Sequence, residues 1–252
     1  MPTVTRREFT RAIALAGAAV ALPRVARAAL RQDDAATTVF DWTPLERDGV
    51  ILCAGQGGNA LVVASGGESL LIDCKNAGFG HALKAEAEME GAPLRWVVNT
   101  HHHADHTGGN YAFTGTLAVI AHRNAEARII ADRQYQGYQR AIGGLSRQVL
   151  DAENPRARAL LETAPPKFYT AGYSMLEAGD WQPTLLMDDE RELAIGDTGA
   201  QLRHIGAGHT DNDVFVYLPE QNVLHTGDLC FHELHPFFDR PAGANTARSE
   251  EH

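Results

Sequence analysis

The segment at residues 99–110 reads NTHHHADHTGGN and contains four histidines and one aspartate. Imidazole nitrogens and carboxylate oxygens are common protein ligands of zinc and related metal ions. In an extended segment, side chains two residues apart point the same way, so His101 and His103 can converge on one ion. His102 lies between them and should point elsewhere. The pattern therefore predicts an open metal site that needs at least one more, distant ligand.

Asp105 and His106 follow where the chain must turn, so they can face a second point and begin a second site. The alternative is a histidine run that lies in solvent. An apolar run at residues 94–98 precedes the cluster and Gly108-Gly109 follow it, which indicates a buried strand that ends in a shaped turn. This context favours the metal site over the solvated run.

Two later segments offer the missing ligands. GAGHTDND at residues 206–213 places His209 after a predicted strand, and HTGDLCF at residues 225–231 places Asp228 in a glycine turn after another. Ends of strands are where layered α/β domains usually place their sites. We therefore expect His209 and Asp228 to join the histidine cluster.

These motifs resemble those of the metallo-β-lactamase superfamily. NTHHHADHTGGN is similar to its T-H-x-H-x-D-H signature, and GHT at residues 208–210 and TGD at residues 226–228 are similar to its next two motifs, in the same order. LLIDCK at residues 70–75 resembles the early strand whose final aspartate, here Asp73, supports the site. The resemblance covers roughly residues 50–232.

The resemblance implies a site with two metal ions. In the superfamily, three histidines hold one ion, an aspartate and a histidine hold the second, and a further aspartate bridges both. Zinc is the expected metal, although the same donors suit iron or manganese. The matching residues here are, in that order, His101, His103 and His209, then Asp105 and His106, and last Asp228.

The implied activity is that of a metal-dependent hydrolase acting on a small molecule. Zinc lowers the pKa of its bound water to about 7, and the hydroxide attacks the carbonyl of an ester, thioester, lactone or amide, a β-lactam included. Asp105 would be catalytic, because it can orient the nucleophile and move a proton. The aspartate at position 228, where some zinc β-lactamases have cysteine, resembles the hydrolase and glyoxalase-like branches.

Two alternatives stay open at this point. The same fold hosts an iron-dependent sulfur (persulfide) dioxygenase, which uses residues matching His101, His209 and Asp228. A member that binds metal or a partner without turnover is the other alternative, although an intact set of ligands argues against it.

The chain departs from the superfamily after Asp228. We find no PGHG-like loop with the usual last histidine, and no closing strands or helix are predicted. His232 and His235 are the nearest substitutes, with a surface or substrate-facing position as the alternative for both. His225 is close enough in sequence to orient Asp228.

The predicted fold class is α/β, a four-layer αββα metallo-β-lactamase sandwich that lacks its last strands and helix. The domain is expected at residues 40–240, after a linker at residues 29–39 and before a polar tail at residues 241–252. The predicted helices lie at residues 80–90, 123–141 and 146–163, and the predicted strands at residues 59–65, 69–73, 94–99, 117–121, 193–195, 201–205, 214–218 and 222–226.

Residues 1–28 are typical of a twin-arginine export signal. Arg6-Arg7 precede a mildly apolar run at residues 12–22, and Ala26-Arg27-Ala28 forms an A-x-A cleavage pattern. The apolar run is too short to span a bilayer, so the mature chain is expected to have no integral membrane segment. The export signal predicts that the mature chain lies in the periplasm.

The bulk composition excludes some partners. The 252 residues are 44% hydrophobic and carry a net charge of −10, without a basic patch interleaved with aromatics, so nucleic acid is not an expected partner. The oligomeric state is not readable from the sequence. Of the three cysteines, Cys53 and Cys74 can pair if their strands are neighbours, or remain separate buried thiols; Cys230 is the third.

Overall fold

Two β-sheets carry the fold. The computed structural model of the chain describes residues 39–76, 79–130, 181–235 and 237–245. The strands of the first sheet are β1 (Asp41–Pro44), β2 (Val50–Ala54), β3 (Ala60–Ser65), β4 (Glu68–Ile72), β5 (Leu94–Val98), β6 (Ala118–His122) and β7 (Leu185–Met187). The strands of the second sheet are β8 (Glu190–Ile195), β9 (Thr198–Arg203), β10 (Phe215–Leu218) and β11 (Val223–His225).

The strand directions determine where functional loops meet. The first sheet has the order β1-β2-β3-β4-β5-β6-β7, antiparallel from β1 to β4 and parallel from β4 to β7. The second has the order β11-β10-β9-β8 and is antiparallel throughout. Ile72 lies opposite Val98 at the ends of β4 and β5. The segments that follow these two strands therefore emerge side by side at one edge of the sheet.

Helices cover the face of the first sheet that points away from the second. The described helices are α1 (Gly80–Glu90), α2 (Ala104–Thr107) and α3 (Arg123–Ile130), with 3-10 turns at Asn110–Phe113, Gly227–Leu229 and Arg240–Ala242. Both of the longer helices contact the first sheet, α1 at β5 and α3 at β6 and β7. Within the described residues, the layers are therefore helices, first sheet and second sheet.

Alternating side chains build two cores. Leu70 and Ile72 of β4 pack with Leu202 and Val216 of the second sheet, whereas Leu71 packs with the side chains beneath α1. Successive residues of a strand point to opposite faces, so a strand buried on both sides must be apolar throughout, as the sequence of β4 is. The position of this strand between both cores explains why a rigid site can be built at its end.

The predicted α/β class is confirmed by this arrangement of two sheets and covering helices. The predicted strands are all present with shifts of a few residues, and β8 begins earlier than expected, at Glu190. The sequence did not predict β2 or the short strands β1 and β7. Of the helix predicted at residues 123–141, the structure describes Arg123–Ile130; the helix predicted at residues 146–163 lies outside the described residues.

The domain extends past both boundaries that the sequence suggests. The Val39 N–H, in the predicted linker, donates to Glu86 Oε1 at 2.7 Å. In the predicted polar tail, Ala242 is buried and its carbonyl accepts from the Asp211 N–H at 2.9 Å. The Asn245 N–H donates to the Gly208 carbonyl at 3.1 Å. Residues up to 245 therefore belong to the folded domain.

Cys53 and Cys74 are separate buried thiols, and Cys230 is exposed. Burial raises the pKa of the Cys53 thiol to about 12, so this thiol stays protonated at neutral pH. Among the described residues, no helix has the length and apolar character needed to cross a membrane.

Two stacked histidines join the sheets. His122 ends β6 and His204 follows β9, and their ring centroids are 3.9 Å apart with an interplanar angle of 24°. His204 Nδ1 donates to the Asp213 carbonyl at 2.7 Å. Burial, followed by the neighbouring His204, lowers the pKa of His122 from 6.5 to about 4. His122 therefore stays uncharged in the folded protein under mildly acidic conditions.

We predict that His122 makes the fold sensitive to acid. Its folded pKa lies below the unfolded value, so its contribution to stability is present above pH 6.5 and is lost as the pH falls toward 4. His122→Gln should reduce the pH 4 to 7 dependence of the unfolding free energy by about 1–3 kcal/mol, measured by urea denaturation. His232→Gln is the control, because that side chain is 94% exposed. Identical pH profiles for wild type and His122→Gln would contradict this prediction.

Candidate metal centre

A buried carboxylate connects the ends of β4 and β5. Asp73 follows β4 in a left-handed backbone conformation (φ 64°) and is fully buried. Its Oδ1 accepts the Thr100 N–H at 2.8 Å, and its Oδ2 accepts the Thr100 hydroxyl at 2.8 Å. The same Oδ2 accepts from His106 Nδ1 at 2.7 Å. Asp73 therefore positions both the start of the histidine segment and the ring of His106.

Three histidines face one point. The ring centroids of His101, His103 and His209 are 4.6–4.8 Å from one another, and each ring is edge-on to the other two. One nitrogen from each lies within 4.8 Å of the others. His101 Nε2 is buried and has no hydrogen-bond partner. Burial and the neighbouring histidines lower the pKa of His101 well below its usual range, so its nitrogen lone pair is available at neutral pH.

The segment at residues 237–239 orients two of these rings. His209 Nδ1 donates to the Phe237 carbonyl at 2.6 Å, and His103 Nε2 donates to Asp239 Oδ2 at 2.9 Å. The remaining nitrogens, His209 Nε2 and His103 Nδ1, then face each other at 3.0 Å. Two lone pairs so close repel each other unless a proton or a cation lies between them. A metal-ligating histidine typically donates its other ring N–H to a carbonyl or carboxylate, as His209 and His103 do here.

A second group adjoins the first. His101, His106 and Asp228 offer donor atoms within 4.8 Å of one another. Asp228 Oδ1 is 3.2 Å from His106 Nε2, and Asp228 Oδ2 is 3.6 Å from His209 Nε2. Asp105 Oδ2 lies 3.5 Å from His106 Nε2. The carboxylate of Asp228 therefore lies between the two groups.

Negative charge is concentrated around His106. Burial alone would lower the pKa of His106, but Asp73, Asp105 and Asp228 raise it well above its usual range. Burial alone would raise the pKa of Asp105, but its interaction with His106 lowers it to about 2. His106 Nε2 is buried and makes no hydrogen bond of acceptable geometry. Carboxylates converging on a buried imidazole nitrogen without a well-formed hydrogen bond fit a metal cation.

The sequence comparisons agree with this geometry. Residues 54–251 match the model of the Metallo-beta-lactamase superfamily. The chain belongs to this superfamily. One curated relative is the hydroxyacylglutathione hydrolase of Anaeromyxobacter dehalogenans (strain 2CP-C), which is 31% identical over 138 residues. The aligned part covers 54% of this chain and 46% of the relative, so the chain spans less than half of that protein.

Solved structures support the fold. A metallo-beta-lactamase from Pontibacter korlensis aligns with a TM-score of 0.52 and 18% identity, covering 82% of this chain and 78% of that one. The DIM-1 metallo-beta-lactamase aligns with a TM-score of 0.51 and 17% identity, covering 78% of this chain and 72% of its own. At such identities the similarity concerns the fold alone.

The loop that contains Gly58 packs against the ring of His106. A Cβ on Gly58 would lie 2.4 Å from His106 Nε2 and 2.3 Å from its Cε1, so glycine is required there. The Gly58 N–H donates to the Asp105 carbonyl at 3.2 Å. The buried Lys75 ammonium donates to the carbonyls of Gly58 and Cys53 at 2.7 and 2.8 Å. This lysine was not predicted from sequence, and it holds the loop against the metal centre.

The other predicted site residues occupy different places. His102 points away from the three-histidine group, as expected, and contacts the Asn212 side chain through Nδ1. His225 Nδ1 accepts the Gly227 N–H at 3.2 Å, so it contacts the peptide next to Asp228 and makes no hydrogen bond to its carboxylate. His232 and His235 have exposed side chains, and neither joins a group of metal-capable side chains in the described structure.

Asp239 is the main residue of the candidate centre that sequence reasoning missed. It lies 136 positions after His103, and no ligand-like spacing marks it. In its local sequence context Asp239 is an N-cap residue, since its Oδ1 accepts the Ala242 N–H at the start of a 3-10 turn. Asp239, His102 and His103 also have donor atoms within 4.8 Å of one another. Because His103 Nε2 already donates to Asp239, we assign this carboxylate to orienting the ring.

We predict that Asp239→Asn weakens metal binding by about 10- to 100-fold, because the amide no longer provides a charged acceptor for His103. The measurement is zinc affinity in competition with a chromogenic chelator. Asp188→Asn is a matched control, because Asp188 is an exposed aspartate paired with Arg123. An unchanged zinc affinity in Asp239→Asn, in a folded protein, would rule out the orienting role.

Proposed function

We propose that this protein is a metal-dependent hydrolase that cleaves the acyl bond of an ester, thioester, lactone or amide. The observation that carries the proposal is the pair of adjoining donor groups, which share His101 and have Asp228 between them. The hydrolase name of the curated relative supports it. That relative is named for an acylated glutathione, which favours thioesters among the candidate substrates.

Two zinc ions fit the donor set best. When bound, zinc supplies a water of lowered pKa and polarises a carbonyl oxygen. Iron and manganese accept the same donors, so the metal must be measured. We propose that His101, His103 and His209 would hold one ion, that Asp105 and His106 would hold the other, and that Asp228, whose carboxylate lies between the two groups, would contribute to both.

The carboxylate of Asp105 provides the proton acceptor. Its side chain is 44% exposed, unlike the buried Asp73, so a substrate or water can reach it. Its pKa of about 2 keeps it ionised at neutral pH. The oxygen of one water bonds to the acyl carbon while the bond from that carbon to oxygen, sulfur or nitrogen breaks. The proton that Asp105 accepts passes to the leaving group, and the products are a carboxylic acid and an alcohol, thiol or amine.

We predict that the protein purified without chelator contains about two zinc ions per chain and hydrolyses simple thioesters. His101→Ala should lose most of the metal and at least about 100-fold in kcat/KM, because His101 adjoins both donor groups. Elemental analysis and thioester turnover are the measurements. Met89→Ala, at an exposed position outside the metal centre, is the control and should match wild type.

The same experiment separates the alternatives. One iron per chain with oxygen-dependent consumption of a persulfide would replace the hydrolase with a sulfur dioxygenase. One zinc or less, with no turnover, would indicate a metal-binding protein without activity. His101→Ala with full metal content and full activity would refute the assigned centre.

We also propose export to the periplasm by the twin-arginine route, supported by Arg6-Arg7 and the Ala26-Arg27-Ala28 pattern. The double variant Arg6→Lys/Arg7→Lys should leave the precursor in the cytoplasm, because the route recognises the arginine pair. Arg11→Lys is the control, since it makes the same arginine-to-lysine substitution nearby and leaves Arg6 and Arg7 intact. Cell fractionation with immunoblotting measures the distribution, and equal export of both variants would contradict the proposal.

A further inference from the structure

The loop between the two aspartates of the metal centre has an unusual surface. We call residues 229–235 and 237–239, the described residues from the position after Asp228 to Asp239, the mouth loop. Within it, the rings of Phe231 and Phe237 lie edge-on to the ring of His209, with centroid distances of 6.1 and 5.8 Å. Two aromatic side chains therefore flank one of the proposed zinc ligands.

Part of this apolar surface faces solvent. Phe237 is 62% exposed and Leu234, in the same loop, is 72% exposed. Single exposed apolar residues are ordinary, but exposed apolar residues clustered in a loop beside a functional centre usually mark a binding surface. Because the rings of Phe231 and Phe237 contact the ring of His209, these two side chains lie beside the proposed metal centre, where the acyl carbonyl must lie.

The charges of the mouth loop indicate which substrate charge it can accept. Residues 229–239 contain no lysine or arginine, whereas Glu233 and Asp239 are acidic, and the exposed Arg240 directly follows the loop. The nearby Arg128 is paired with Asp211 at 2.6 Å. The whole chain has a net charge of −10. An anionic leaving group such as glutathione, which carries carboxylates, therefore finds no lysine or arginine within this loop to bind it.

We propose that the substrate is a neutral acyl compound whose apolar acyl chain packs on Phe231, Leu234 and Phe237. This inference rests on the proposed hydrolase function and specifies its substrate class. Each methylene buried on an apolar surface strengthens binding about fourfold, so a chain of several carbons is discriminated from acetyl. The substrate thus differs from the acylated glutathione for which the curated relative is named.

The test compares acyl chains and leaving groups. Wild type should hydrolyse hexanoyl-N-acetylcysteamine with a kcat/KM at least about tenfold above that of acetyl-N-acetylcysteamine, and above that of hexanoylglutathione. Phe237→Ala and Leu234→Ala should bring the hexanoyl-to-acetyl ratio toward unity. Leu117→Ala is the matched control, because Leu117 is 60% exposed and lies outside the mouth loop. All variants are compared at equal zinc content.

A binding measurement keeps this inference separate from the proposed hydrolase function. Calorimetry of the zinc-loaded protein should show hexanoate binding at least about tenfold more tightly than acetate, with the difference lost in Phe237→Ala. If no thioester is hydrolysed but this difference is found, the hydrolase proposal fails and the apolar site stands. Equal affinity for both acids, or equal turnover of all three thioesters, would overturn the inference. A dimer that Phe237→Ala converts to monomer would also overturn it, because the surface would then join two copies of the chain.

Discussion

The hydrogen bonds of Asp73 are the constraint on which the rest of the site depends. This carboxylate is fully buried, and burying a charge without partners is costly. It is compensated by the N–H and hydroxyl of Thr100 and by the ring of His106. Because β4 and β5 are parallel and adjacent, these partners come from the neighbouring strand end. The site can be rigid because the strand that ends at Asp73 packs into both cores.

Charge balance connects this scaffold to the metal. Asp105 and Asp228 converge on the side of His106 opposite Asp73, and His103 and His209 direct nitrogens at each other. Each arrangement is unfavourable without a positive charge between the donors. A bound cation is therefore expected to increase the stability of the folded protein. Folding and metal binding are linked in this way.

The sequence predicts the parts of this structure that depend on local pattern. Alternation and apolar runs indicate most strands, and the spacing of the histidine segment indicates which of its side chains lie close together in the candidate centre. Asp239 and Lys75 could not be found in this way. Their roles arise from contacts at long sequence separation, and an aspartate before a turn or a lysine after a strand has no distinctive local signal. The short strands β1 and β7 were missed for a related reason, since pairing with a neighbour defines them.

In the mouth loop, main-chain atoms bond to His209, whereas the side chain of Phe237 is exposed. The Phe237 carbonyl accepts from His209, and the Asp239 N–H donates to the His209 carbonyl at 3.0 Å, so main-chain atoms fix the ligand. The side chain of Phe237 points to solvent and contributes none of these bonds. A substitution there can change which substrate is held while the histidine keeps its orientation. In the proposed site, specificity would depend on the side chain of Phe237 and metal binding on its main-chain carbonyl.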